Sequence, residues 1–401
     1  MKILYITQCS VYENVTHAGG MTVNYYMKKL NVNNDLCMVS FCSPDEEYLI
    51  TTNSNADKVF PIVRDGNSLM ERLGKICSIP SKINVFDKRC GFSKYASHLL
   101  KNKLKFVSKI FMPDLIILEW TGIILHIDMI KKIFPAIPVI ASEHDVSFLG
   151  AFRRADIEKK GIIKCIKMIR AKWLRKRELE CLLKADLVVP HNEKDRNLLL
   201  SNGIDVKKIH TIVPYYHEFT AQECIRNNDI IFFGYMARSE NVNAIKWFID
   251  KVMPLIDDLN VRFIIIGGGS QDLKYIENDK VRIIGYVEDP SQWFAKSMCF
   301  VAPLQLGAGI KVKVIEALYS GITVLTNNIG IEGIQAVNRK DYYHCESPQD
   351  YAEIIRGIYS GKINNLSGKC AIENQFSLER SYVEYYRKMY MLTKNKKDTV
   401  M

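Results

Sequence analysis

Eleven short apolar runs, spaced by stretches long enough for a helix, restrict what this chain can fold into more than any other feature. KILYIT (2–7), CMVSF (37–41), KVFPIV (58–63), DLIILEW (114–120), PVIAS (138–142) and DLVVPH (186–191) occupy the first half. DIIFFGYM (229–236), VRFIIIGGG (261–269), VRIIGYV (281–287), CFVAPL (299–304) and TVLTN (323–327) repeat the plan in the second. Near-continuous Val, Ile and Leu runs suit parallel strands covered on both faces. Strand–helix alternation in two successive units predicts an α/β chain of two Rossmann-like, doubly wound parallel-sheet domains facing a cleft. A length of 401 residues fits two domains of about 180 to 200 each. The boundaries are expected at 1–205 and 206–375, because IHTIVPYYHEF gives way to the polar ECIRNND and the change falls near 205 to 228. SLERSYVEYYRKMYMLTK reads as a terminal helix over 376–394, and the polar tail 395–401 as disordered.

The stretch 303–333, PLQLGAGIKVKVIEALYSGITVLTNNIGIEG, carries the clearest chemistry. It reads as a strand end, a loop with Gly307 and Gly309, a helix opening near Ile310, a stop at Gly321 and a second buried strand. Unpaired N–H groups at a helix start favour an anion, and glycines let a phosphate come close. Lys311 and Lys313 add two positive charges at that end, which suits a diphosphate. Glu316 lies further along the helix, where a carboxylate can accept from ribose hydroxyls.

This segment resembles the donor-nucleotide signature of the group 1 glycosyltransferases, a retaining family with the GT-B fold. The match is to the variant written roughly G-x-G-x-K/R-x-K-x-x-E-A-L/M-x-x-G-x-P-V-V. The resemblance implies that Glu316 binds the ribose of a nucleotide sugar. It implies too that the Gly309–Ile310 backbone, with Lys311 and Lys313, holds the diphosphate and stabilises the leaving group. FFGYMARSENVNAIKWF (232–248) is similar to the family's segment opening the second domain, where Gly234 approaches the diphosphate; Arg238, in the same segment, is read as assisting Lys311 and Lys313 where the family's usual cations are missing. GYVEDPSQWF (285–294) resembles the loop beneath the base, with Val287 as the contact. Gly19 and Gly20 resemble a glycine pair facing donor phosphates and acceptor. His144, just past a buried strand, falls where the family often has a histidine close to the donor sugar, with Asp145 as a candidate orienter. The terminal helix is expected to cross back onto the first domain. This chain departs from the family pattern at three places. Ala308 stands at the first of two usual glutamates, and Tyr235 and Glu240 stand where an Arg and a Lys are usual. Lys311 and Lys313 are read as relocating that charge.

Charge is distributed unevenly. Of the net +11, residues 1–200 hold +10, concentrated between Arg153 and Arg177. Ile162, Ile166, Ile169 and Trp173 there follow one helical face, with Lys160, Lys164, Lys167 and Arg175 opposite. Two readings stand: an ordinary surface helix burying its stripe in its own domain, or a basic amphipathic helix touching an anionic membrane surface. No helix-turn-helix, zinc-finger or aromatic-basic pattern points to nucleic acid. The eleven cysteines are scattered and free of C-x-x-C pairs, which favours reduced thiols in a cytoplasm. No apolar run reaches the roughly 18 to 20 residues needed to span a bilayer. A metal is not expected: His144 and His191 lack ligand spacing, and GT-B enzymes generally need none. No other cofactor is expected.

The resemblance implies a retaining, hexosyltransferase-type glycosyltransferase; the Lys-, Asn- and Ile-rich usage favours a bacterial cytoplasm, with the basic helix leaving open a peripheral contact on the inner face of the plasma membrane. It would move sugar from a UDP- or GDP-linked nucleotide sugar to a glycan or lipid-linked acceptor in surface-polysaccharide biosynthesis. Two alternatives stay open, a nucleotide-sugar epimerase of the same fold and a non-catalytic GT-B protein that binds nucleotide sugar or glycan.

Overall fold

A computed structural model of the chain describes residues 1–65, 90, 92–158, 161–220, 225–307 and 309–394, and beyond these only the backbone course of the last helix. Ala308, Lys160 and Met401 lie outside these residues, and 395–400, expected to be disordered, instead continue the backbone of the last helix. The chain divides into two compact units, Met1–Pro214 with Leu378–Met401, and Tyr215–Ser377.

Each unit is built on a six-stranded, wholly parallel sheet. The first contains β1 (Lys2–Thr7), β2 (Asp35–Cys42), β3 (Lys58–Val63), β4 (Leu115–Glu119), β5 (Val139–Glu143) and β6 (Leu187–Pro190), in the order β3-β2-β1-β4-β5-β6. The second contains β7 (Asp229–Phe233), β8 (Arg262–Ile266), β9 (Val281–Gly285), β10 (Cys299–Ala302), β11 (Thr323–Thr326) and β12 (Tyr343–His344), in the order β12-β11-β10-β7-β8-β9. Both are the doubly wound order, so the expected fold class is found. In each sheet the direction of winding reverses beside the first strand, between β1 and β4 and again between β7 and β10. Open α/β sheets bind ligands beyond the carboxyl ends of the strands at such switch points.

Alternation along each strand sorts the first core into two faces. Ile3, Tyr5, Leu36, Met38, Leu115 and Ile117 pack on one side. Leu4, Ile6, Cys37, Val39, Ile116 and Leu118 pack on the other. The terminal helix, Leu378–Val400, belongs to the first face, where Tyr385 and Met389 are buried. Ser381 Oγ accepts from Val213 N at 2.9 Å and lies 2.7 Å from Tyr26 Oη, fixing the helix to the unit in which the chain began. The basic helix, Ile162–Leu182, differs from the ordinary surface reading: its isoleucine stripe faces solvent. No helix among the described residues is long and apolar enough to cross a membrane.

Candidate active site

In the second unit the carboxyl ends of β7 and β10 carry the residues singled out by the sequence. Gly234 follows β7 with φ +159°, and a Cβ there would lie 2.9 Å from Asn241 Nδ2 and 3.1 Å from Lys313 Nζ. Lys313 therefore reaches from the helix Val312–Ser320 back across the switch point. Its ammonium hydrogen-bonds Asn241 Oδ1 and sits 4.6 Å from the centroid of the Phe232 ring. Asn241 in turn donates to Tyr235 O at 2.6 Å, which holds the amide in place. Burial pushes Lys313 down to about 7, helped by the positive charges of Arg238 and Lys311. An enclosed cation of this kind is poised to gain from an incoming anion.

The helix starts at Val312, two residues later than expected, with Lys311 in the N-cap position. Lys311 is buried and donates to Gly309 O, 3.9 Å from Glu332 Oε2. Its ammonium thus ties down the glycine loop as well as lending charge. Gly307 (φ +131°) and Gly309 (φ +72°) supply the left-handed backbone that this loop requires. Ile310 follows, half-buried. Glu316, three residues after Lys313, shares its helical face. Its Oε1 accepts from the backbone N–H of His217 at 3.1 Å and lies 2.9 Å from His217 Nδ1. The His217 ring stacks on Phe219, centroids 5.1 Å apart, and Phe219 on Phe294 at 5.4 Å. Arg238 is exposed at the start of the helix Ser239–Lys251. Val287 stands apart from this group: it follows β9, the edge strand, with β8 between it and β7.

In the first unit the same logic operates at β1 and β4. Gly19 and Gly20 open the helix Ala18–Asn31, capped by His17 Nδ1 accepting from Gly20 N at 2.9 Å. A Cβ on Gly20 would meet the His17 ring at 2.6 Å; one on Gly19 would meet Trp120 Cζ2 at 2.9 Å and His144 Nδ1 at 3.2 Å. The glycine pair is required here so that the helix start can lie against three rings. Trp120, held at φ +69°, stacks on His144 with centroids 4.3 Å apart and planes 7° from parallel. His144 Nε2 lies 2.9 Å from Glu119 Oε2, at the end of the adjacent strand β4. Burial lowers His144 to about 3 and raises Glu119 to about 7. A neutral imidazole donating Nε2–H to Glu119 keeps its lone pair on Nδ1, the atom facing Gly19.

His191, after β6, is brought beside this pair, its ring 4.2 Å from His144 and its Nε2 3.1 Å from Ser142 Oγ. Glu119, His144 and His191 offer ligand atoms within 4.8 Å of one another, so this trio could hold a metal ion. Sequence spacing concealed it, because the three residues come from the ends of three adjacent strands. Glu119 and His191 also line a cavity of about 10 Å³ with Tyr5, Tyr26, Ser142 and Tyr385, close to the space one water occupies.

Burial raises two further carboxyls of this unit, Glu178 to about 8 and Glu143 well above its usual range. The folded protein then holds these protons, and that of Glu119, more tightly than the unfolded chain. Stability from them is complete below about pH 4.5 and is lost as pH rises through about 7 to 8. We expect the melting temperature to fall across that window and Glu119→Gln to flatten part of the fall. A flat wild-type profile would contradict these protonation states.

Residues 227–360 match the family model "Glycosyl transferases group 1". The second unit is a group 1 glycosyltransferase domain. Gly234, Arg238, Asn241, Val287, Gly309, Ile310, Lys311, Lys313 and Glu316 all lie within the match, whereas His217 lies outside it. Solved structures agree in fold over the whole chain. Anabaena HepE, crystallised with UDP-glucose, is 12% identical, with 98% of this chain and 100% of that one covered at a TM-score of 0.67. The sucrose-phosphate synthase of Thermosynechococcus elongatus is 11% identical over the same shares, with a TM-score of 0.69. These likenesses identify the fold of the glycosyltransferase domain and its companion unit as GT-B. A Klebsiella pneumoniae relative, described as an uncharacterized 44.6 kDa protein in a cps region, is 25% identical over 134 residues. That match covers 30% of this chain and spans about a third, 34%, of the relative.

Proposed function

We propose that the chain is a retaining glycosyltransferase that moves a hexose from a UDP- or GDP-linked donor to a glycan or lipid-linked acceptor in bacterial surface-polysaccharide biosynthesis. One observation carries the reading: the enclosed ammonium of Lys313, at the β7/β10 switch point, on the same helix as the buried carboxylate of Glu316. A cation and a carboxylate three residues apart on one helical face suit the two halves of a nucleotide, pyrophosphate and ribose. The UDP-glucose crystallised with HepE supports a nucleotide-sugar donor, and the cps-region relative supports the polysaccharide role. Retention is carried by the family resemblance.

In this reading the pyrophosphate lies against Lys313 and the bare Gly234 backbone, with Arg238 at its margin. Glu316 accepts from the ribose hydroxyls, oriented by His217. As the anomeric C–O bond lengthens, negative charge grows on the departing phosphate oxygen. A cation with few waters around it responds more strongly to that charge than one in bulk solvent. Lys311 keeps the loop in shape and adds its own charge, so the step runs without a metal ion. The first unit takes the acceptor, and neutral His144, oriented by Glu119, offers Nδ1 to a sugar hydroxyl.

Incubating the full chain with UDP-, GDP- and TDP-sugars tests this. Slow release of UDP or GDP is expected. Sugar interconversion without release would make the chain an epimerase, and saturable binding without either would make it a binding protein. Glu316→Ala should weaken nucleotide binding about ten- to a hundredfold, the loss of charged hydrogen bonds worth about 1.5–3 kcal/mol. Unchanged affinity would remove Glu316 from the site.

A further inference from the structure

The helix Ile162–Leu182 presents its apolar stripe to the wrong side for a helix that only covers its own unit. Ile162, Ile166 and Ile169 share one face by their spacing. They are 79%, 40% and 44% exposed, and neighbouring Ile163 is 63% exposed. Ala171, nine residues after Ile162 and so about half a turn round, is fully buried, as are Glu178 and Cys181 further along. The unit therefore grips this helix by its opposite face. Ile157, in the segment before the helix, is exposed as well and enlarges the patch.

The charges around the stripe are of one sign. Arg153 to Arg177 contains eleven basic residues against two acidic ones, Asp156 and Glu158. Both acids are already engaged, Asp156 by Lys164 and Glu158 by Lys167. Exposed Arg170, Lys172 and Lys176 flank the isoleucines, and Lys176 Nζ lies 5.6 Å from the centroid of the Trp173 ring. Isoleucines bordered by cations, with an indole along the same face, match the two layers of a lipid surface: acyl boundary and anionic headgroups. A second copy of this chain would set this positive field against its own like.

We propose that the exposed start of this helix docks on an anionic bilayer surface. Ile162, Ile163, Ile166 and Ile169 enter the acyl boundary, and Arg170, Lys172 and Lys176 meet lipid phosphates. With no membrane-crossing helix among the described residues, the contact is peripheral and reversible. It goes beyond the donor-site reading and does not depend on it.

Co-sedimentation of the full chain with phosphatidylcholine vesicles, with and without about a third phosphatidylglycerol, tests the proposal. Binding is expected only to the anionic vesicles and should weaken as salt rises from about 0.05 to 0.5 M. Ile162→Ser combined with Ile166→Ser should reduce it about tenfold or more. Arg170→Gln, Lys172→Gln and Lys176→Gln together should remove the preference for anionic lipid. Binding of UDP and GDP by these variants should match the wild type, which keeps a failure here separate from a failure of the donor site. Equal binding to both vesicle types, indifference to these substitutions, or a dimer that the serine variant dissociates would each overturn the proposal.

Discussion

Lys313→Met should lower turnover by about a hundred- to a thousandfold, the usual loss when one preorganised donor to a developing oxyanion is removed. The same change should make the protein more stable below pH 7. Both effects come from one feature, an ammonium enclosed by the Phe232 ring, Asn241 and the Gly234 turn. Burial lowers its pKa from 10.5 to about 7, so the fold binds this proton less tightly than the unfolded chain does. The cost is complete below about pH 7 and disappears as pH rises towards 10.5. Methionine fills the same volume without charge, so the variant should gain on the order of 1–3 kcal/mol at pH 6. That gain should vanish near pH 10. A bound pyrophosphate restores the ammonium, so wild-type affinity for whichever of UDP and GDP it binds should fall up to about tenfold per pH unit above 7. The variant should show a flat profile. Undiminished turnover, or lower stability at pH 6, would refute the role assigned to Lys313.

The sheets were legible because a doubly covered parallel strand must be apolar at nearly every position, and eleven runs satisfy that. β12 was not legible, since two residues carry no pattern. Side chains of one segment that share a helical face could be paired from their spacing, such as Lys313 and Glu316 three residues apart on the helix Val312–Ser320. Partners assembled by strand order could not. Glu119 and His144 are 25 residues apart and meet only because β4 and β5 are neighbours. His217 and Glu316 are 99 apart, and their meeting depends on how the chain enters the second unit. The isoleucine stripe shows a third kind of gap. Periodicity reveals that a helix has an apolar face, but not whether that face is turned inward. Here Ala171 and Glu178 on the other side decide the matter.

Gly267→Ala should be the most disruptive small substitution in the second unit. The ends of β7, β8 and β9 meet at three glycines: Gly267 N donates to Gly285 O at 2.7 Å, and Gly234 N to Ile266 O at 3.0 Å. Gly267 has φ +138°, and a Cβ there would lie 1.9 Å from Gly234 O and 2.7 Å from its carbonyl carbon. Both atoms are backbone, so no side-chain rotation relieves the overlap. The Gly234 turn must move, and with it the surface against which Lys313 and Asn241 pack. We expect a loss of about 3 kcal/mol or more, in the range reserved for overpacking combined with backbone strain. Loss of nucleotide binding should accompany it in whatever fraction remains folded. Gly361→Ala isolates the conformational part, because Gly361 has φ +71° but nothing within 4 Å of a Cβ. That control should cost only about 1 kcal/mol and leave nucleotide binding intact. Urea midpoints of the two variants give the comparison directly. If they agree within about 1 kcal/mol, the three strand ends are looser than the contact between Gly234 and Gly267 requires, and the donor site does not depend on it.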